Sequence, residues 1–486
     1  MSAFYRTIYR ENLQNVITSS ISSSNHEEVL VTEETIIRNK DTTIPLFAVI
    51  FSPCLQSRMK SSSIAEASTI LPPLRLLVSS GNGLIHAYTL IEKSNWKPSD
   101  SLTISTTTPS SSFSSSSVSS TTTHSSAVQL IPTHVYLPEQ KSIYPMVSSS
   151  STNISKNEDN DMSMISLGSK CIDVIRNYTG EDIHAGGEVL ASLRLDGKVS
   201  IYIREEQAFY QQDISSSISI VRPNFEFYVE NAVGTTMALI PPKQCGYSKD
   251  GVCVLVGCLD GSVTMVSTGI AIPTIVKSEK NSSSSSHSIN SFVECGKVID
   301  TVGEGNSIPT ALALHPHLPY TFAVGRKDGI LDLFSTVIVE DLTSYYHSYG
   351  HFRRVHRLTH PASNPIRALA YTPDGCLLIA GNDAGTIFIF DTSSPKQRTI
   401  RLVGSIFHAH KGFILSITTL SDSKRFVTSS VDKTVKVWDV ASPYSGPLHT
   451  FDAGHVDMIW GVASSLDGRR CVSCGDDGLL QVYACE

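Results

Sequence analysis

Residues 408–440 read HAHKGFILSITTLSDSKRFVTSSVDKTVKVWDV and contain three short runs of strand-like sequence. The runs at 412–418, 425–430 and 434–440 alternate apolar or β-branched residues with polar ones, and short polar turns separate them. A period of two predicts β-strands rather than helices. A unit of this size cannot bury its apolar faces alone, so the stretch also predicts neighbours of the same kind.

Four side chains in this stretch have the spacing of the hydrogen-bonded tetrad of a WD repeat. Asp432 follows His410 by 22 residues and Thr428 by four, and Trp438 follows Asp432 by six. In such a repeat the Asp carboxylate accepts a hydrogen bond from the His imidazole, and the Ser or Thr hydroxyl and the Trp N–H are further members of the same network. The buried polar groups therefore satisfy one another's hydrogen-bonding capacity. A hydrolase triad also combines His, Asp and a hydroxyl, but Thr428 lies inside a predicted strand without a nucleophile elbow. We therefore interpret the four residues as structural.

A second set of residues near the C-terminus repeats this spacing. His455, Ser473, Asp477 and Tyr483 show the same offsets of 22, four and six residues. Tyr can replace Trp because each side chain ends an aromatic body with one polar group. Repetition at the same spacing strengthens the structural interpretation of both sets.

The pattern recurs, in less complete form, along most of the chain. Its turn positions are residues 82, 196, 260, 328, 384, 432 and 477. The last two intervals are 48 and 45 residues, close to the roughly 40–45 residues of a WD repeat. The fifth turn position falls on Ala384, next to Asp383, so we expect no tetrad there. We predict an all-β fold, a seven-bladed WD-repeat β-propeller; the alternative is an eighth blade within residues 93–164.

Serine-rich stretches interrupt the repeats at about residues 55–70, 93–164 and 279–291. Such a composition cannot bury enough apolar area to offset the cost of ordering, so we predict disordered insertions. Within the longest of them, residues 127–138 (AVQLIPTHVYLP) are compatible with the outer strand of a blade or with a solvated loop.

The two ends of the chain suggest how the ring closes. Residues 1–28 are polar and are predicted to be flexible, so the propeller is assigned to 29–486. The last repeat ends after its third strand, whereas residues 29–37 (VLVTEETII) form an isolated strand-like run. We predict that this N-terminal run is the outer strand of the last blade, because that pairing removes an open sheet edge.

Composition and charge narrow the range of functions. The formal net charge of −7 argues against sequence-independent binding to a phosphate backbone, so we expect no direct nucleic-acid contact. The ten cysteines lack the spacing of a disulfide framework or a zinc site, which favours a reducing intracellular setting. The sequence shows no signal peptide, membrane span or phosphate-binding loop. We expect no catalytic residue, cofactor, metal or small-molecule substrate, and therefore no enzyme.

The remaining candidate site is the upper mouth of the central channel. Aligning the repeats on their inner strands puts Phe47, Arg367, Leu415 and Trp460 at equivalent positions near this mouth. Exposed aromatic residues near an arginine have the composition of a protein-binding hot spot. The alternative is that Trp460 and Phe47 only plug the channel or pack between blades.

The segment from about residue 357 to residue 485 resembles the last three blades of the WD-repeat subunit of the superkiller (Ski) complex. The strings that carry the resemblance are NPIRALAYTPDGCLLIAGNDAGTIFIFD, HKGFILSI, RFVTSSVDKTVKVWDV, HTFDAGHVDMIWGV and CVSCGDDGLLQVYAC. The Trp-Gly-Val start of the final blade and the end shortly after Tyr483 look like this family rather than a generic propeller. The serine-rich insertions depart from the compact pattern of the family.

The resemblance implies a non-enzymatic scaffold. Members of the family help to join a tetratricopeptide-repeat subunit and an RNA helicase into a complex that feeds messenger RNA to the cytoplasmic exosome for 3′→5′ decay. Relatives also serve in the nuclear polymerase-associated elongation complex, so both a cytoplasmic and a nuclear location are implied. In the family, a partner segment with Gln-Arg and a bulky apolar residue docks on the top face, which corresponds here to the four mouth positions. Another WD-repeat adaptor, such as a ubiquitin-ligase substrate receptor or a chromatin reader, is the alternative function.

Overall fold

The computed structural model describes residues 5–12, 44–52, 74–92, 128–137, 169–176, 187–205, 219–229, 232–240, 252–270, 294–303, 306–318, 320–339, 348–359, 364–393, 400–452 and 454–485. Within these ranges the chain is almost entirely β-strand, and the strands form seven sheets. The inner strands of successive sheets contact one another in a closed circle, and the seventh returns to the first. The predicted all-β, seven-bladed propeller is confirmed.

The blades are numbered along the chain, and their strands are given from the centre of the ring outward. Blade one contains β2 (Leu46–Ser52), β3 (Leu74–Ser80), β4 (Ile85–Glu92) and β5 (Val128–Tyr136). Blade two contains β6 (Ser169–Arg176), β7 (Gly187–Arg194), β8 (Lys198–Glu205) and β10 (Phe225–Tyr228), and β9 (Ser219–Val221) pairs in parallel with β5 of blade one. Blade three contains β11 (Gly234–Leu239), β12 (Cys253–Cys258), β13 (Val263–Ser267) and β14 (Val298–Val302).

The remaining blades follow the same order. Blade four contains β15 (Pro309–Leu314), β16 (Phe322–Arg326), β17 (Ile330–Val339) and β18 (Ser348–Thr359). Blade five contains β19 (Ile366–Tyr371), β20 (Leu377–Asn382), β21 (Ile387–Asp391) and β22 (Arg401–Ile406). Blade six contains β23 (Ile414–Thr419), β24 (Arg425–Ser430), β25 (Val435–Asp439) and β26 (His449–Phe451), with a single 3-10 turn at Pro443–Ser445. Blade seven contains β27 (Ile459–Ser464), β28 (Arg470–Gly475), β29 (Leu479–Cys485) and β1 (Tyr5–Asn12).

The core of the molecule lies between neighbouring blades. The second strand of blade three shows how it forms, because every residue of CVLVGC is buried. Val254 and Val256 pack with Val189 of blade two, whereas Cys253 and Leu255 pack in the cluster that contains Phe322 of blade four. Alternate side chains of a strand point to opposite faces of the sheet, so one strand serves two cores and reads as a continuous apolar run.

An N-terminal strand closes the ring, but it is not the one predicted. β1 pairs antiparallel with β29, from Tyr5 opposite Cys485 to Asn12 opposite Leu479. The assignment of this place to residues 29–37, and of all of residues 1–28 to a flexible terminus, is therefore wrong; 29–37 lie outside the described residues. An outer strand is held mainly by backbone hydrogen bonds, so the apolar content of VLVTEETII was a poor guide to its place.

The predicted serine-rich insertions fall largely outside the part of the chain that the structure describes. This applies to 55–70 and 279–291 entirely, and to 93–164 except for 128–137. β5 comes from this exception, and it is the outer strand of blade one. The described ranges contain no eighth blade. None of the helical residues in these ranges belongs to a segment with the length and apolar character that a membrane span requires.

A buried ion pair joins blades one and two, which a long stretch of sequence separates. Arg75 Nη1 donates to both carboxylate oxygens of Glu188 at 2.8 Å, and Ser52 Oγ donates to the same carboxylate at 2.8 Å. Tyr136 Oη accepts from Arg75 Nη2 at 2.7 Å and lies 3.1 Å from Glu188 Oε1. The charges are removed from water but are paired and hydrogen-bonded, which is the condition for burying them.

Candidate functional site

The inner strands share an irregularity at the end where each of them begins. In every blade the pairing of the inner strand with the second strand skips one residue, which is the second residue of the inner strand. A bulge of this kind takes a residue out of the ladder and redirects its side chain. The seven bulge residues are Phe47, Lys170, Thr235, Thr310, Arg367, Leu415 and Trp460.

The four predicted binding residues therefore occupy equivalent places in the fold. The end of the ring that carries these bulges also carries the turns between second and third strands, and we call it the mouth. In blade five, for example, Asp383 of this turn donates its backbone N–H to Pro365 O, just before the inner strand, at 3.0 Å. The same backbone bond joins Asp476 to Met458 in blade seven at 3.0 Å. Side chains of these turns therefore lie beside the bulge residues.

The mouth is asymmetric, because two of its bulge residues are used within the fold. Thr235 Oγ1 donates to Pro309 O of the next blade at 2.7 Å. Thr310 Oγ1 makes the corresponding hydrogen bond to Ile366 O. Blades five, six, seven and one are consecutive around the ring, and their bulge residues are larger than threonine. These four residues, Arg367, Leu415, Trp460 and Phe47, are the mouth arc.

Trp460 and Phe47 meet across the junction of blades seven and one. Their ring centroids lie 5.7 Å apart in an edge-to-face arrangement, and both residues are half-buried. Trp460 Nε1 donates to Asp476 Oδ1 at 2.5 Å, so the polar edge of the indole is satisfied. The two rings thus pack between blades seven and one, which is part of the alternative stated above. Both residues are only half-buried, so part of their aromatic surface is accessible at the mouth.

Asp476 gives this aromatic pair an acidic neighbour. Burial raises the pKa of the Asp476 carboxyl, and the nearby carboxylates of Asp457 and Asp477 raise it further, against the hydrogen bond from Trp460. A carboxylate with acidic neighbours interacts favourably with a guanidinium or ammonium group that binds next to it. The site therefore combines an apolar surface with a place for a cation.

Arg367 lies at the other end of the mouth arc and is partly exposed. Its Nη2 donates to Asp383 Oδ2 at 2.8 Å, and its guanidinium carbon lies 5.4 Å from the ring centroid of Phe413. Phe413 precedes the inner strand of blade six and is 44% exposed. Leu415, two residues further on, is half-buried. Phe413 and Asp383 lie beside the mouth arc and add an apolar and an acidic side chain at this end of it.

Sequence reasoning missed Asp476, Asp383 and Phe413 as parts of this surface. Asp476 and Asp383 adjoin turn positions that the repeat alignment had already located, and Phe413 lies two residues before the bulge residue Leu415. The signal was therefore present in the alignment, since residues next to the turn position lie at the mouth in every blade.

The tetrad of blade six is assembled and buried. His410 Nδ1 lies 3.0 Å from Asp432 Oδ2, and His410 Nε2 lies 2.7 Å from Thr428 Oγ1. Trp438 Nε1 donates to the same hydroxyl at 2.9 Å. One set of donors satisfies all of these contacts: the indole donates to the Thr hydroxyl, the hydroxyl to Nε2, and Nδ1–H of a neutral imidazole to the carboxylate.

The ionisation of the tetrad agrees with this direction of donation. Burial lowers the pKa of His410, although Asp432 opposes the shift, so the imidazole is kept neutral. Burial alone would raise the pKa of Asp432, but the hydrogen bonds that its carboxylate accepts from His410, Thr434 and the backbone N–H of Lys411 hold it well below its usual range. The carboxylate is therefore an acceptor only.

Blade seven contains the same arrangement with Tyr in place of Trp. His455 Nδ1 lies 3.0 Å from Asp477 Oδ2, and His455 Nε2 lies 2.7 Å from Ser473 Oγ. Ser473 Oγ lies 2.8 Å from Tyr483 Oη. The hydroxyls of Thr428 and Ser473 belong to fully buried residues, so neither can meet a substrate. The two sets act inside the fold.

Blade four replaces the tetrad with an ionic cluster that sequence reasoning did not find. Arg326 and Asp332 are both fully buried, and Arg326 Nε donates to Asp332 Oδ2 at 2.8 Å. Arg357 Nε donates to the other oxygen at 2.7 Å, and Arg326 Nη1 also reaches Gly261 O in blade three at 2.8 Å. In blade five Ala384 occupies the turn position and the described contacts include no tetrad.

Comparison with known proteins identifies the repeats. The WD domain, G-beta repeat family matches residues 352–391, 401–439 and 445–483. Each matched segment runs from the outer strand of one blade through the inner three strands of the next. The chain therefore contains WD40 repeats, and the repeat is offset from the blade by one strand.

The chain is also similar to curated WD-repeat proteins over a limited length. Striatin of Homo sapiens is 30% identical over 131 residues, which is 24% of this chain and 17% of striatin. Striatin-3 of Homo sapiens is 28% identical over 131 residues, 24% of this chain and 16% of that protein. Polyadenylation factor subunit 2 of Cryptococcus neoformans var. neoformans serotype D is 28% identical over 130 residues, 27% of this chain and 17% of that protein. The matched part of the chain thus spans a small fraction of the length of these relatives.

Proposed function

We propose that this protein is a non-enzymatic adaptor subunit of the superkiller complex. In this function it joins a tetratricopeptide-repeat subunit to an RNA helicase and so assists exosome-mediated 3′→5′ decay of messenger RNA. The proposal is supported by the resemblance of the last three blades to the WD-repeat subunit of that complex. It is also supported by the repeats and the propeller fold, which offer an extended surface to protein partners.

The observation that carries the proposal is the mouth arc. Trp460 and Phe47 offer an apolar surface to a bulky apolar side chain, and Asp476 lies beside them with a raised pKa. A partner segment with Gln-Arg next to a bulky apolar residue fits this combination, because its guanidinium would meet the carboxylates while the apolar side chain covers the rings. The location that goes with the proposed helicase and tetratricopeptide partners is the cytoplasm, and a function in the polymerase-associated elongation complex would add the nucleus.

A different WD-repeat adaptor is the second candidate. The similarity to striatin and to polyadenylation factor subunit 2 favours it, because these matches cover the same kind of repeat. A substrate receptor of a ubiquitin ligase or a chromatin reader would use the same mouth. The two candidates differ in the partners that accompany the protein, not in the chemistry of its surface.

Affinity purification of the full chain followed by mass spectrometry tests the proposal. We expect the wild-type chain to recover helicase and tetratricopeptide subunits, and Phe47→Ala combined with Trp460→Ala to lose them. The matched control is Leu466→Ala, since Leu466 is 62% exposed but lies in the turn that follows the inner strand, at the opposite end of the ring. Recovery of ubiquitin-ligase adaptors in place of the helicase would favour the second candidate. Unchanged recovery with a folded double variant would show that the mouth arc is not the contact.

A further inference from the structure

Four exposed apolar side chains mark a second surface, at the mouth end of blades two and three. They are Leu195, Tyr228, Val233 and Leu259, and they are 49%, 52%, 41% and 51% exposed. We call these four residues the rim platform. Leu195 and Leu259 come from the turns between the second and third strands, Tyr228 ends an outer strand, and Val233 precedes an inner strand. Exposed apolar side chains that cluster in this way mark interaction sites more often than single ones do.

Contacts between the segments hold the platform in place. Gly197 has a φ of +83°, and a Cβ at this position would lie 2.7 Å from Val233 Cγ1, so only glycine lets blade three approach this turn. Leu259 donates its backbone N–H to Val233 O at 2.9 Å. Tyr228 Oη lies 3.4 Å from Asp196 Oδ2 in the same turn as Leu195. The platform is therefore built on the junction of two blades rather than on a single loop.

The four platform side chains are not part of the buried core that lies beneath them. Leu193 and Val256 fill the space under Gly234, within 2.7 and 3.0 Å of its Cβ position, and belong to the buried cluster of blades two and three. The platform residues lie above this layer and contribute little to it. The platform is also distinct from the mouth arc, because the platform lies on blades two and three and the mouth arc lies on blades five, six, seven and one.

The charges around the platform indicate what it binds. Arg194 pairs with Asp196 at 2.6 Å, and Lys198 pairs with Glu226, so the nearby cations are already neutralised. Asp260 is exposed and next to Leu259, and its Oδ1 accepts from Ser262 Oγ at 2.7 Å. Within the described residues no lysine or arginine pairs with Asp260. The positive charges described beside the apolar residues are thus engaged in ion pairs, whereas Asp260 is not.

We infer that the rim platform is a docking surface for a segment of a partner protein that carries a bulky apolar side chain next to a lysine or arginine. The apolar side chain would cover Leu195, Val233 and Leu259, and the cation would reach Asp260. This assignment does not depend on the superkiller complex, and it adds a second contact on the mouth end of the ring. A partner that engages both surfaces gains affinity from the linkage of two weak contacts.

Selection of peptides from a random phage-displayed library on the full-length protein tests the assignment. Selected peptides are then synthesised with a fluorescent label and titrated against the wild type and variants by polarisation. We expect a class of peptides with a bulky apolar residue beside Lys or Arg whose affinity falls by at least about tenfold in Leu195→Ser combined with Leu259→Ser. For the same peptides we expect a loss in Asp260→Asn and no change in Leu466→Ser or Trp460→Ala.

Three outcomes would overturn the assignment. The first is that every selected peptide depends on Trp460 and none on Leu195 or Leu259. The second is that the platform-dependent peptides lack a basic residue and are indifferent to Asp260→Asn. The third is that the wild type self-associates through the platform, seen as a dimer by light scattering that Leu195→Ser with Leu259→Ser abolishes. Because the substituted side chains are exposed, melting curves like that of the wild type will show that each variant is folded.

Discussion

At the scale of single residues, the tetrads show how the fold uses chemistry that resembles catalysis. In blade six and in blade seven, one ring nitrogen of a histidine lies 3.0 Å from a carboxylate oxygen and the other lies 2.7 Å from a hydroxyl. The hydroxyls are buried and already engaged, by Trp438 in one blade and Tyr483 in the other. Each group satisfies its neighbour's hydrogen-bonding capacity, so the network stabilises the turn that carries the aspartate.

Asp432→Ala is expected to destabilise the protein by about 1–3 kcal/mol, because it leaves the buried Nδ1–H of His410 and the backbone N–H of Lys411 without their acceptor. Chemical denaturation followed by Trp fluorescence measures the effect. The matched control is Asp383→Ala in blade five, which removes only a partly exposed pair with Arg367 and should cost less than about 1 kcal/mol. Equal effects of the two substitutions would contradict the tetrad as a stabilising network.

The same network predicts loss of stability in mild acid. Burial lowers the pKa of His410 in the folded protein, so as the pH falls the imidazole is protonated in the unfolded chain before it is protonated in the folded one. Protonation therefore favours unfolding, and the folded state has its full stability from this group only above about pH 6.5, the pKa of an unperturbed histidine. The lowered pKa values of Asp432 and Asp477 act in the same direction, but only below about pH 4. We therefore expect the unfolding free energy to fall between about pH 7 and pH 5, and to fall less in His410→Asn.

The control for this pH dependence is His408→Asn, two residues away. His408 is exposed and has a φ of 53°, which Asn also adopts, so its replacement should leave the pH profile unchanged. Parallel profiles for the wild type and His410→Asn would contradict the assigned neutral imidazole.

At the scale of elements, inner and outer strands differ in how strongly the sequence specifies them. Middle strands such as β12 and β29 are buried at every position, and their apolar runs are easily recognised. Some outer strands are short, since β26 has three residues and β10 has four. An outer strand needs a free backbone edge to pair with more than it needs an apolar face, so its pattern in the sequence is weak.

Deleting residues 1–12 should lower the melting temperature by several degrees and promote association. The deletion removes β1 and exposes the edge of β29, whose unpaired backbone groups can pair with another chain. Differential scanning fluorimetry and light scattering measure the two effects. The control is deletion of residues 100–126, whose Ser/Thr-rich composition predicts a nearly unchanged melting temperature. If the N-terminal deletion also leaves melting unchanged, β1 is not what closes the ring.

At the scale of the whole molecule, stability depends on a ring whose blades are joined without interruption. At the junction of blades one and two, a paired carboxylate and guanidinium are buried beside an apolar cluster. Removing one member of a buried ion pair leaves the other charge without compensation. Removing a single charge at this junction should therefore lower the stability of the propeller as a whole.

Glu188→Ala is expected to cost about 3–5 kcal/mol, because it leaves the guanidinium of Arg75 in the interior without its carboxylate. That is a large part of the stability of an ordinary domain, so lower expression is expected as well. Ser52→Ala is the control, since it removes one hydrogen bond and keeps the ion pair, and it should cost about 1 kcal/mol. Denaturant titration compares the two, and a neutral Glu188→Ala would mean that the pair does not stabilise this junction.

The repeat spacing by itself determined the number of blades and the equivalence of positions within them. An aspartate that must meet a histidine 22 residues earlier and an aromatic residue six later fixes the register of the strands between them. Once that register is known, Phe47, Arg367, Leu415 and Trp460 fall on equivalent bulges. These interactions are local along the chain, so their spacing is readable in the sequence.

Only the tertiary structure decided which strand closes the ring and which side chains surround the bulges. β1 and β29 are separated by nearly the whole chain, and no periodic signal connects them. The pairing of Arg75 with Glu188, the ionic cluster around Asp332 and the rim platform likewise join residues from different blades. Such contacts depend on where the ring brings distant segments together, and a pattern within one repeat carries no information about its neighbour's side chains.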